Sequence, residues 1–252
     1  MLNIFISSLC TIYFWILISI SMLVSFIVCL IAYPFVDEQT FAGLYEFILS
    51  NSIICGMSFI WSFHLKDLRS DSEKNDKKAQ YVIIANHSSF IDSIIMAKVP
   101  FRKKYMISRI FERVPVFNWL CKKSGHVMVG KDDKKNNVVS ALIRAEQSMN
   151  DGSSFVIYPE GSRSKDCKIL LPFKTGAFRL ACNTKNKILP VFISGADKGM
   201  KIGGICSPTN IYLTIGHPFS VKSNSDKDIE ESINKSRSFI QEKIQEKINK
   251  QL

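Results

Sequence analysis

Charge is missing from the first 36 residues of this chain, where no Asp, Glu, Lys, Arg or His occurs. A helix needs only ~20 consecutive apolar residues to cross bilayer hydrocarbon, so this segment is expected to be membrane-embedded. A secretory signal would instead have a basic start, an apolar core of ~7–15 residues and a small-residue cleavage site. None of the three is evident. Patterned cysteine is missing too. Cys10, Cys29, Cys55, Cys121, Cys167, Cys182 and Cys206 are scattered and odd in number, with no Cys-x-x-Cys and no Cys/His set at zinc spacing. A disulfide framework or structural metal is therefore unsupported, and buried free thiols in a reducing compartment are expected. The chain also lacks an internal repeat and any Gly-x-Ser-x-Gly, so a serine nucleophile elbow has no footing.

No basic helix interleaved with aromatics accompanies the formal net charge of +11, which argues against nucleic acid as partner. Anionic lipid fits better, since each Lys or Arg near such a surface contributes about 1 kcal/mol. A second apolar stretch, residues 41–63, is interrupted by Glu46 and by Ser50-Asn51-Ser52. A carboxylate in hydrocarbon is costly, so this stretch spans, re-enters, or lies in the interface. Asp37 and Glu38 precede it, while Lys66, Arg69, Lys74, Lys77 and Lys78 follow. The positive-inside tendency then puts the remainder on the cytoplasmic face of the membrane.

The expected organisation is a membrane-embedded helical region over 1–64, a charged linker over 65–80 and a domain over 81–252. Residues 81–85, 127–129, 155–158, 189–193 and 211–215 are short, branched or aromatic and bounded by breakers, as strands are. Residues 137–149 read as a helix with Val138, Leu142 and Ala145 on one face, stopped by Asn150-Asp151-Gly152. From about Ser225-Asp226, a stripe of Ile229, Ile233, Ile240, Ile244 and Ile248 marks an amphipathic helix, expected to dock on the domain, with a membrane-binding or partner helix as the alternative. The alternation argues an α/β fold with a mixed, largely buried sheet flanked by helices, behind an N-terminal membrane-embedded helical hairpin.

The first of two chemically suggestive segments is Asn86-His87-Ser88-Ser89-Phe90-Ile91-Asp92, directly after a strand. A histidine accepts a proton from an alcohol at neutral pH when its other nitrogen is held, and Asp92 can hold it. Alone, the segment reads equally as a helix cap. The second is Tyr158-Pro159-Glu160-Gly161-Ser162-Arg163-Ser164, also after a strand. Gly161 permits close backbone approach or a positive φ. Arg163 can grip a phosphate with paired donors, and Glu160 can take a substrate hydroxyl or orient Arg163. Further on, Phe173-Lys174-Thr175-Gly176-Ala177 places Lys174 beside small residues, either reaching a phosphate or solvated. His64, His126 and His217 have no partner pattern and read as interfacial or structural.

Asn-His-x-x-x-x-Asp, then Pro-Glu-Gly-Ser-Arg-Ser, then Phe-Lys-Thr-Gly-Ala, in that order over residues 81–193, resembles the glycerolipid acyltransferase family, nearest its 1-acyl-sn-glycerol-3-phosphate acyltransferase branch. The resemblance implies an acyl transfer from acyl-CoA or acyl carrier protein to the sn-2 hydroxyl of lysophosphatidic acid, giving phosphatidic acid. His87 and Asp92 would be catalytic, and no bound cofactor or metal is implied beyond the thioester co-substrate. The implied partners are membrane phospholipids, the lysophospholipid acceptor and the acyl donor. Glu160, Gly161, Ser162 and Arg163 would hold the glycerol phosphate, with Lys131, Lys174 and Arg109 in support.

Two departures stand out. The family's Gly-x-Ile-Phe-Ile-Asp-Arg falls on residues 125–131, where Gly130 and Lys131 replace the acid and the arginine. Lys131 binds phosphate as a point charge without the guanidinium fork. The family's Lys-x-Glu-Leu falls on residues 108–111, with Arg109 standing in for lysine from the next position. Residues 125–131 also mimic the start of a nucleotide-binding P-loop, but Asp132 occupies the hydroxyl position. The competing functions are acyl transfer to glycerol 3-phosphate, another lysophospholipid or an amino-acid lipid, and a catalytically silent lipid-binding module.

Overall fold

Short, mostly β-branched and aromatic runs build one seven-stranded sheet in the computed structural model, which describes residues 2–76, 78–130, 135–150 and 152–249. Its strands are β1 Trp61–Asp67, β2 Tyr81–Ala85, β3 Lys103–Ser108, β4 Val127–Val129, β5 Ser154–Ile157, β6 Lys187–Ser194 and β7 Thr209–Ile215. Their order is β1-β7-β6-β2-β5-β3-β4, and every neighbouring pair is parallel except β6 with β7. The sheet is therefore mixed, as the sequence implies. All five residues of central β2 are buried, as expected of a parallel strand covered on both faces.

The period of two along β2 divides the core into two layers. Val82 and Ile84 join a cluster made by helices α6 Lys135–Ser148, α7 Gly176–Thr184 and α9 Asp226–Asn249. Ile83 and Ala85 join a second cluster, to which Cys10 and Phe14 contribute from α1 Leu2–Ala32, and Ile53 and Ile54 from α2 Glu38–Gly56. Ile229, Ile240 and Ile244 of α9 are buried, so this amphipathic helix docks on the sheet. In α6 the buried face is Ala141 and Ala145, while Val138 is exposed. This differs from the expected face because the helix packs through its small residues.

The 31-residue α1 carries no charge, and among the described residues it is the one helix long and apolar enough to cross a membrane. One stripe, Cys10, Phe14, Ser21, Ser25 and Cys29, is buried against the rest of the protein. Other faces expose Ile12, Trp15, Ile16, Ile20, Leu23 and Ile27. Asp37 caps α2 by accepting from Thr40 N at 2.7 Å. Gly56 lies where a β-carbon would come within 2.6 Å of Leu17, which lets α2 approach α1 closely. Glu46 is compensated inside the protein: Tyr105 Oη donates to its Oε1 at 2.6 Å and Lys103 Nζ lies 3.1 Å away. Lys104 Nζ donates to Glu38 Oε1 at 2.7 Å. The carboxylate that makes α2 a poor spanning helix is thus half of a tether to β3.

Two strands escape the sequence reading. Residues 61–67, across the expected boundary between membrane region and linker, pair with all of β7 as β1. The charged stretch after it is also structured. Arg69 is buried, donating to Asp67 at 2.6 and 3.0 Å, and α3 Asp71–Asn75 opens with a capping box between Ser70 and Glu73. The other missed strand is β3, which begins with two lysines whose charges α2 neutralises. The seven thiols are free, but Cys55 is exposed and Cys167 and Cys182 are only half-buried.

Candidate active site

Parallel neighbours β2 and β5 deliver their following loops to the same edge of the sheet, the edge where open α/β sheets present their ligands. Ile84 of β2 stands beside Ile157 of β5, so His87 and Glu160, each three residues further on, leave the sheet side by side. His87 N donates to Glu160 Oε1 at 2.8 Å, and Ser164 N donates to His87 O at 2.7 Å. Asn86 ties the same loop to β6 through a reciprocal pair: its Nδ2 donates to Ile193 O, and Ile193 N donates to its Oδ1, both at 2.8 Å. Ser89 Oγ donates to Met200 O at 2.8 Å. Three separate segments therefore hold the backbone around His87.

The imidazole is fixed as tightly. Asp92, at the start of α4 Asp92–Ile95, is fully buried. Its Oδ2 lies 2.7 Å from His87 Nδ1 and accepts from Ser88 N and Ser89 N at 2.8 Å each. One carboxylate oxygen thus gathers both backbone donors and the ring, an arrangement that points Nδ1 at Asp92 and leaves Nε2 as the ring nitrogen facing away from it. The ring stacks on Tyr158, centroids 4.2 Å apart and planes 19° from parallel. Burial, with Asp92 nearby, pushes the Tyr158 hydroxyl well above its ordinary range, so it stays protonated. His87 retains about 20% side-chain exposure, consistent with a base open to a substrate on one side.

Glu160 is buried and uses both oxygens on backbone: Oε2 accepts from Leu171 N at 3.0 Å while Oε1 takes His87 N. Burial raises its carboxyl above the usual range, against the lowering effect of those two N–H groups. Its partners in the structure are thus the backbones of the two loops, not Arg163. Gly161 has φ +68°, and a β-carbon there would lie 2.7 Å from Lys174 Nζ. Lys174 therefore crosses the glycine, and its backbone N donates to Pro159 O at 2.8 Å. Arg163 is exposed and Ser162 half-buried on the same loop. Arg109 lies in a 3-10 turn, Arg109–Arg113, with Glu112 at 3.8 Å. Lys131 lies outside the described residues. Tyr158 is the residue the sequence reading missed, since its contact with His87 exists only through the pairing of β2 with β5. Among the described residues no group of three or more His, Cys, Asp and Glu could hold a metal ion.

A buried Asp–His pair beneath a basic, glycine-turned loop can take a proton from a hydroxyl beside an anion. The class follows from the family comparison: the Acyltransferase family model matches residues 68–194, half of the chain, and the chain belongs to that family. Its similarity within the family is to 1-acyl-sn-glycerol-3-phosphate acyltransferases. It is 29% identical over 161 residues to the chloroplastic BAT2 of Brassica napus, covering 63% of this chain and 46% of that protein. It is 28% identical over 130 residues to the Saccharomyces cerevisiae enzyme, covering 51% and 43%. The chain thus spans less than half the length of these relatives. The fold matches the crystal structure of the 1-acyl-sn-glycerophosphate acyltransferase PlsC from Thermotoga maritima, with a TM-score of 0.73, 19% identity and 95% of each chain covered.

Proposed function

We propose that this chain transfers an acyl group from a thioester, acyl-CoA or acyl carrier protein, to the sn-2 hydroxyl of lysophosphatidic acid, yielding phosphatidic acid. The observation that carries the reading is the His87–Asp92 pair, with Nδ1 committed to Asp92 at 2.7 Å and Nε2 left to accept. Nε2 takes the hydroxyl proton as the oxygen attacks the thioester carbonyl, and Asp92 stabilises the imidazolium. Collapse of the tetrahedral intermediate breaks the carbon–sulfur bond, and the departing thiolate takes the proton back from His87. Lys174, lying over Gly161, and exposed Arg163 supply positive charge for the acceptor phosphate, with Arg109 and Lys131 in support. Glu160 holds the geometry of both loops. The outward apolar faces of α1 support attachment to a membrane, and the basic residues from Lys66 to Lys78 favour its cytoplasmic side.

The test is labelled acyl transfer into lysophosphatidic acid, comparing CoA and carrier-protein thioesters for wild type and His87→Ala. The variant should lose about 10²–10⁴ in rate. An unchanged rate would remove His87 from the mechanism. The Gly130-Lys131 departure favours one further reading, a different phosphorylated acceptor. Competition among glycerol 3-phosphate, lysophosphatidic acid and other lysophospholipids decides it by which one turns over.

A further inference from the structure

Two surface turns expose isoleucines that the acyl transfer does not use. Residues 201–205 form a tight turn in which Lys201 N donates to Ile205 O and Gly204 N donates to Lys201 O, both at 2.9 Å. Gly203 and Gly204, at φ +110° and +86°, make this tip possible, and Ile202 and Ile205 project from it about half exposed. The turn is fastened to α1: Trp15 Nε1 donates to Gly204 O at 3.4 Å, and Cys206 N donates to Thr11 Oγ1 at 2.9 Å. Ile110, in the 3-10 turn Arg109–Arg113, is 62% exposed. A chain of rings links the two turns: Trp15 lies 6.3 Å from Phe90, and Phe90 lies 6.3 Å from Phe111. Phe90 follows His87 by three residues. Both turns are thus tied to the outward face of α1, one directly at Trp15 and the other through Phe90, on the loop that carries the base.

We propose that the 201–205 turn and the 109–113 turn seat in an anionic lipid surface, inserting Ile202, Ile205 and Ile110, so that the His87 mouth opens at headgroup level. This rests on the reading of α1 as a membrane helix and extends it to two further elements. Membrane lipid is the occupant because α1 has no charge of its own, whereas each turn sets its apolar tip beside cations, Lys201 in one and Arg109 and Arg113 against the single acid Glu112 in the other. Apolar side chains beside Lys or Arg are the composition of an interfacial contact.

The experiment places the full chain in vesicles of phosphatidylcholine and phosphatidylglycerol whose acyl chains carry bromine. Wild type reports on native tryptophans, including outward-facing Trp15. The fluorescence added by Ile202→Trp should fall about twofold, as expected for burial at the headgroup boundary. Full added emission while the native signal is quenched overturns the proposal and leaves the membrane reading of α1 intact. If neither is quenched, both fail. In a second arm, the Ile202→Ser/Ile205→Ser double variant should turn over vesicle-borne lysophosphatidic acid about tenfold more slowly, from lost apolar burial. Its rate on a short-chain acceptor dispersed as monomers should be unchanged. Equal loss on both acceptors, or no loss on vesicles, counts against the proposal. A dimer that the double variant dissociates would give this face to a second copy and overturn it too. Quenching without any acyl transfer by wild type would uphold the seating while removing the acyl-transfer reading.

Discussion

Glu160 joins two loops through a single side chain. Its two oxygens accept from His87 N and Leu171 N, so both must be acceptors. Glutamine offers one acceptor and turns an amide N–H₂ toward the other donor, which costs about 1–3 kcal/mol for the group left unsatisfied. Glu160→Gln should therefore lower kcat for acyl transfer at least roughly tenfold, with the folded state still present by thermal unfolding. An unchanged kcat would mean that the His87 loop holds itself. The order of the two motifs made His87, Asp92 and the glycine turn legible in the sequence. The partner of Glu160 was not legible, because it depends on the register of two strands 73 residues apart along the chain. The stack of Tyr158 on His87 was hidden for the same reason.

Among the elements, the helix pair and β3 illustrate what a linear reading loses. Strands such as β2, β4 and β5 announce themselves by branched residues between breakers. In contrast, β1 straddles the end of an apolar stretch, and β3 begins Lys103-Lys104, which interrupts the apolar run a buried strand presents. Those lysines make sense only once α2 supplies Glu46 and Glu38. Glu46→Ala would leave the Lys103 ammonium, whose side chain is 2% exposed, without its counter-charge. The carbonyls of Val99 and Phe101 still accept from it. Removing one partner of such a pair typically costs about 3–5 kcal/mol, and those carbonyls place the loss toward the lower end. Adding Lys103→Met should recover part of the stability, measured as the denaturation midpoint in detergent. A double variant no more stable than Glu46→Ala would deny that this ion pair is the tether.

For the molecule as a whole, acid should cost stability, and His126 is one cause. Its ring lies edge-on to Tyr105 at 5.4 Å, its Nδ1 is buried without a partner among the described residues, and burial plus nearby Lys104 pushes its pKa down to about 3. Below the ordinary histidine value of ~6.5, the unfolded chain takes up a proton that the folded chain refuses. Stability from this group is complete above that pH and drains away as pH falls toward 3. Between pH 7.5 and 5 the loss is roughly 2 kcal/mol. His126→Phe should flatten that part of the stability profile, read as unfolding midpoints at the two pH values. An equally steep profile would exonerate His126.

The pairing of β1 with β7 along its full length also carries a consequence in time. β1 has no other strand neighbour in the sheet, and its partner begins at Thr209, 148 residues after Trp61. Closing a contact across so long an interval of chain is slow compared with forming helices or adjacent pairings. During synthesis, α1 is complete and available to lipid while β1 still waits for its mate. This edge of the sheet closes only once residues 209–215 have been made, long after α1.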